Sequence, residues 1–111
     1  MTRDLRDYLN DIVDAMAKAL KFVEEMSYED FVNDDKTVFA VVRALEIIGE
    51  AVKNIPEDLR TKHSNIPWKD LAGMRDKLIH GYFGVDLRRV WKTVKEVIPA
   101  MKPLFERITK S

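Results

Sequence analysis

The chain has 111 residues, equal numbers of acidic and basic side chains, and no cysteine, which excludes disulfides and thiolate metal sites and suits a reducing cytosol. At this length one domain is expected, residues 1–111, with a core large enough to need no covalent staple. No apolar run approaches the roughly 18 residues of a membrane span, and the N-terminal segment interleaves acids with apolar residues instead of forming a signal-peptide core. A soluble, cytoplasmic protein is expected.

From Arg3 to about Met26 the apolar residues recur mainly at steps of three and four: Leu5, Tyr8, Leu9, Ile12, Val13, Met16, Leu20, Val23 and Met26. That spacing predicts a long amphipathic helix. Ser27 to Asp35 is a polar break whose two aromatics, Tyr28 and Phe31, are expected to plug the end of a bundle. A second helix should start near Asp34 or Asp35, acids suited to a helix N-terminus, and run to Pro56. Its stripe is Val38, Val41, Val42, Leu45, Ile48 and Val52. Phe39, Ile47 and Ile55 widen the apolar surface, which predicts a central helix or one shared with a second chain. Gly49 costs this helix about 1 kcal/mol against alanine, and close approach of another helix is the expected reason.

Pro56 to Pro67 reads as an irregular connection, with His63 exposed in it. Pro67 suits the first turn of a third helix, Trp68 to about His80, with Trp68, Leu71, Met74 and Leu78 facing the core. Gly81 and Gly84 follow where the helical pattern stops. Asp86 is a good N-cap for a fourth helix whose stripe is Leu87, Val90, Trp91, Val94, Val97 and Ile98. Pro99 and Pro103 either kink that helix or start a short terminal one. Nowhere does strand-like alternation outlast the helical period, so the expected fold is all-α. It is an up-and-down bundle of four long helices, with room for a short fifth.

Zero net charge hides an asymmetry. Residues 1–59 hold 7 Lys/Arg against 14 Asp/Glu, whereas residues 60–95 hold 9 against 3. Either helices of opposite charge face one another, within the chain or across a dimer, or the basic block faces a phosphate-bearing partner.

That block surrounds Gly73 to Asp86, which gathers Arg75, Asp76, His80 and Tyr82. Four residues apart, Asp76 and His80 share a helix face and could pair, fixing the histidine tautomer. Arg75 and His80, five apart, point about 140° apart on a regular helix. A compact site therefore needs helix distortion near Gly81 or two copies of the stretch facing each other across a dimer. Metal-independent RNA cleavage suits these side chains: histidine moves protons near neutral pH, and arginine offers a fixed cation to a phosphate gaining charge. Spacing alone equally allows Arg75 to pair with an acid and His80 to cap a helix C-terminus. Arg43 and Glu46, polar residues in an apolar helix, could line the same cleft or form a helix-to-helix salt bridge. No metal is expected, since His63 and His80 share no ligand spacing.

Read together, Arg75, His80 and Tyr82 match the Arg, four residues, His, one residue, Tyr motif of the HepT-like family in the HEPN superfamily. The resemblance extends over RALEIIGEAVKNIP, IPW, AGMRDKLIHGYFGVD and VWKTV, and so over essentially the whole chain. It implies a homodimeric helical bundle that brings two motifs into one cleft. It also implies the toxin half of a toxin–antitoxin pair, an endoribonuclease using Arg75 and His80 on RNA, with tRNA among the substrate types. Asp76 would support the site. The partner would be a minimal nucleotidyltransferase of the MNT type, the antitoxin, which transfers AMP onto Tyr82. No cofactor is implied. The alternative is a non-catalytic nucleotide-binding or adaptor subunit of a two-protein nucleotidyltransferase complex.

Overall fold

The computed structural model describes residues 3–78 and 84–110, and every regular element among them is a helix. The first, α1 (Leu5–Phe22), starts in a capping box: Asp4 accepts from the Asp7 N–H, and Asp7 reaches back to the Asp4 N–H. This satisfies amides that the helix itself leaves free. Its buried face is Leu9, Ile12, Ala15, Met16 and Ala19, and it packs mainly on α3 and on the C-terminal helix. The expected polar break contains a short helix, α2 (Tyr28–Val32), capped in the same way by Ser27 and Asp30. Phe31 is wholly buried, and its ring lies 5.3 Å from that of Trp91, with Tyr28 6.0 Å from the same indole.

The central helix, α3 (Asp35–Val52), begins at the expected place, where Asp34 accepts from the Thr37 N–H at 3.1 Å. Val41, Leu45, Ile48 and Val52 are buried, while Phe39 stands 76% exposed. A methyl group built on Gly49 would lie 3.5 Å from the carbonyl oxygen of Leu71 and 3.6 Å from that of Ala72. Another helix does pass this position, as expected, but at ordinary van der Waals distance for a methyl group, so the approach does not itself require glycine.

Two segments differ from the reading by periodicity. The Pro56–Pro67 connection contains α4 (Glu57–Lys62), with acids in its first turn and Arg60 and Lys62 in its last, an order that suits the helix dipole. It buries no residue fully, so it leaves no apolar stripe to read. The third predicted helix is divided at Gly73 into α5 (Trp68–Ala72) and α6 (Met74–Leu78). Trp68 donates its indole N–H to the His63 carbonyl at 2.9 Å and packs edge-on against Phe105.

The chain resumes at Gly84, whose φ of +105° lies in the region that favours glycine. Asp86 caps α7 (Leu87–Lys92) through the Arg89 N–H. One π-helical turn, Thr93–Val97, leads into α8 (Ile98–Lys110). The helical path thus continues through both prolines instead of stopping. Proline lacks an N–H and its ring crowds the carbonyl four residues back, and a wider turn immediately before Pro99 accommodates both effects.

The buried side chains form one cluster drawn from α1, α2, α3, α5, α6, α7, the π turn and α8. The all-α bundle is borne out. No helix among the described residues is long and apolar enough to cross a membrane.

Candidate functional site

Two of the four singled-out motif residues lie on α6. Met74 and Leu78 are its buried positions, and this leaves Arg75 and Asp76 on its outer surface. Arg75 is held from across the bundle: its Nε donates to Oε2 of Glu46 on α3 at 3.2 Å. The arginine side chain remains 51% exposed, and the glutamate is 26% exposed. Asp76, 82% exposed, places Oδ1 3.9 Å from the Arg75 NH1 group, which is beyond hydrogen-bond reach. His80 and Tyr82 lie outside the described residues, as does the proposed pairing of Asp76 with His80.

The backbone explains how Glu46 meets a residue so distant in sequence. Gly49 lies one turn after Glu46 on α3, and it faces the Leu71 and Ala72 carbonyls, which lie about one turn before Arg75. The α5–α6 segment therefore runs antiparallel to α3. Moving forward from Glu46 to Gly49 corresponds to moving back from Arg75 to Ala72. This antiparallel register places Glu46 opposite Arg75, and the backbone passing Gly49 would still leave a methyl group there at ordinary van der Waals distance.

Both described ends of the intervening stretch are tied. The Asp86 N–H donates to the Leu78 carbonyl at 2.9 Å, and the Arg89 guanidinium reaches the Lys77 carbonyl at 3.5 Å. Lys77 Nζ lies 2.8 Å from Asp70 Oδ1, and this hydrogen bond holds the Asp70 carboxyl below its ordinary value. Periodicity gave no sign of these contacts. Nor did it reveal that Arg88 lies over the Tyr28 ring, 4.0 Å from its centroid.

The remaining candidates sit elsewhere. Arg43 lines a groove of about 460 Å³ between α1 and α3 with Asp11, Asp14, Phe22 and Ile47, and neither Arg75 nor Asp76 lines it. Of the pair Arg43 and Glu46, only the glutamate reaches the motif. His63 ends α4 and offers its backbone carbonyl to Trp68, a structural part. Among the described residues no three His, Asp or Glu side chains converge as a metal site would require.

Chemically, the arrangement presents a permanent cation, a guanidinium fork held through Nε, with no hydrogen-bond partner for its terminal groups among the described residues and the Asp76 carboxylate 3.9 Å from NH1. Such a fork suits a phosphate oxygen pair.

Comparison with known proteins gives consistent matches. The family model described as ribonuclease HepT-like matches residues 12–108. A "Probable ribonuclease HepT" of Thermococcus cleftensis is 57% identical over 99% of this chain and 100% of its own. Relatives from Methanocaldococcus jannaschii and Caldanaerobacter subterraneus, each with RNase in its name, are 54% and 50% identical. They cover 97% and 93% of this chain and 89% and 92% of their own. No solved structure matches.

Proposed function

Because the chain belongs to the ribonuclease HepT-like family, we propose that it is a metal-independent endoribonuclease and the toxin of a HepT/MntA-type pair, acting in the cytoplasm. The observation that carries this reading is Arg75. It is held by Glu46 through Nε and half-exposed, and its terminal groups have no hydrogen-bond partner among the described residues. It sits on a helix whose Leu78 end is tied to Asp86.

In the proposed reaction a base, His80, takes the proton from a ribose 2′-OH, and that oxygen attacks the adjacent phosphorus. The P–O5′ bond breaks, an acid protonates the departing 5′-oxygen, and a 2′,3′-cyclic phosphate remains. Arg75 binds the non-bridging oxygens, whose charge grows in the transition state. Asp76 supports the site. One chain brings a single motif histidine, and a symmetric partner would bring a second, so the functional unit is a homodimer. The antitoxin, a minimal nucleotidyltransferase, places AMP on Tyr82, and the bulky anion occupies the phosphate site and excludes RNA.

The test is incubation of purified protein with a labelled tRNA pool in EDTA, beside Arg75→Ala and His80→Ala. Cleavage by the wild type alone, leaving 2′,3′-cyclic ends, is the expected result, with both variants still dimeric. An unmodified, dimeric wild type that cuts nothing would overturn the nuclease reading and favour a nucleotide-accepting adaptor. Mass spectrometry establishes beforehand that Tyr82 carries no AMP.

A further inference from the structure

The Glu46–Arg75 contact stands apart from the other ion pairs. Among the described residues, the remaining pairs join partners within residues 1–59, within 60–95, or within the C-terminal helix. Glu46–Arg75 alone links the acidic first part of the chain to the basic block.

The pair contributes little to the packing. Met74 and Leu78 on α6 and Leu71 on α5 are buried in the common core with Leu45 and Ile48 of α3. A half-exposed ion pair adds little beside that apolar burial. Its geometry also differs from that of a stapling contact. A two-pronged Arg–carboxylate pair would occupy an edge of the fork, whereas here Glu46 takes the Nε–H and NH1 lies 3.9 Å from Asp76. The terminal N–H groups have no hydrogen-bond partner among the described residues.

We infer that Glu46 is a positioning residue for Arg75: it takes the Nε–H, fixes the plane of the guanidinium, and leaves the terminal donors facing outward for the scissile phosphate. The inference rests on the ribonuclease reading of Arg75. Its physical basis is pre-organisation. A free arginine side chain must lose its rotamer freedom when the phosphate binds, whereas a tethered one has lost it already. The same carboxylate offsets part of the arginine's charge, and this costs some ground-state affinity for RNA. The benefit therefore falls mainly on the chemical step.

The experiment compares tRNA cleavage by wild type, Glu46→Gln, Glu46→Ala, Arg75→Lys and the Arg75→Lys/Glu46→Gln double variant. The ¹⁵N-edited Nε–H signal of Arg75 is followed in wild type and Glu46→Gln. Glu46→Gln keeps the shape and an acceptor oxygen, so it reports on the tether even where Glu46→Ala disturbs α3. Expected is a drop in kcat of about tenfold for Glu46→Gln, a larger drop for Glu46→Ala, and a smaller change in KM. The Nε–H should exchange with water faster in Glu46→Gln. Lysine has no Nε–H donor in a fork, so Glu46→Gln should change little on the Arg75→Lys background.

Wild-type rates in Glu46→Gln and Glu46→Ala, an unchanged Nε–H signal, or an equal loss on both backgrounds would each overturn the inference. A wild type that cuts no RNA fails before any variant is compared. That outcome removes the ribonuclease reading and this inference with it.

Discussion

Gly49→Ala should stabilise the protein, although the glycine sits where two backbones meet. An alanine in its place would gain about 0.8–1.0 kcal/mol in intrinsic helix preference. The cost depends on what the new methyl meets. It would lie 3.5 Å from the Leu71 carbonyl oxygen and 3.6 Å from that of Ala72, which is ordinary van der Waals separation. Most of the gain should therefore survive, raising the melting temperature by roughly 4 °C for a chain of this length. A larger residue gives the opposite result. Gly49→Leu would drive carbons beyond Cβ toward the α5 backbone, with an overpacking cost of about 1–3 kcal/mol or more. It would also push α6 outward and separate Arg75 from Glu46. Thermal unfolding by circular dichroism of the three proteins tests the argument. A Gly49→Ala protein destabilised by more than about 1 kcal/mol would refute it, because the α5 backbone would then have to lie closer than 3.5 Å to the new methyl.

Phe31→Ala removes a wholly buried ring packed 5.3 Å from Trp91. It should cost about 3–5 kcal/mol in urea unfolding, much of the stability of a small domain. Asp34 carries a pH dependence of known sign. The Thr37 N–H bonded to its carboxylate holds its pKa below the ordinary value, so the stability it contributes is present above the unfolded pKa and is lost as pH falls through the folded one. Asp34→Asn keeps a good N-cap acceptor but removes the titration. The gap between its urea midpoint and that of wild type should therefore shift in the variant's favour between neutral pH and about pH 3. An unchanged gap would show that Asp34 does not titrate with folding.

The long amphipathic elements were legible because their stripes are long. Leu9, Ile12, Met16 and Ala19 on α1, and Val41, Leu45, Ile48 and Val52 on α3, recur at helical spacing and are buried. The break at Gly73 was hidden because Trp68, Leu71, Met74 and Leu78 keep that spacing across it. All four are buried, so the core does not register the interruption. The helix α4 was hidden for the opposite reason. Leu59, its one large apolar residue, is only half-buried, and its order is set by Pro56 and by charge instead of periodicity. At the site, Arg75 and Asp76 were singled out from the sequence, and Glu46 was read as lining the same cleft or forming a helix-to-helix salt bridge. The salt bridge is observed, with Arg75, the acid pairing that spacing alone also allowed. Which acid Arg75 would meet could not be read, because the contact depends on two segments running antiparallel and on their register.

The charge asymmetry can now be judged by what the basic block pairs with. If opposite charges simply faced one another within the chain, ion pairs would join residues 1–59 to residues 60–95. Among the described residues Glu46–Arg75 alone does so. Lys77 and Arg89 pair with acids of their own block. Arg88 and Lys95 lie over the rings of Tyr28 and Trp91, an arrangement that leaves their charge in place. Arg60, Lys62, Lys69 and Lys92 form no ion pair among the described residues. Of these, Lys62, Lys69 and Lys92 are exposed, whereas Arg60 is half-buried with its Nε buried. Pairing within the chain therefore accounts for Glu46–Arg75 but leaves most of the block's charge without an acid of the first part. That is compatible with a phosphate-bearing partner or with pairing across a dimer.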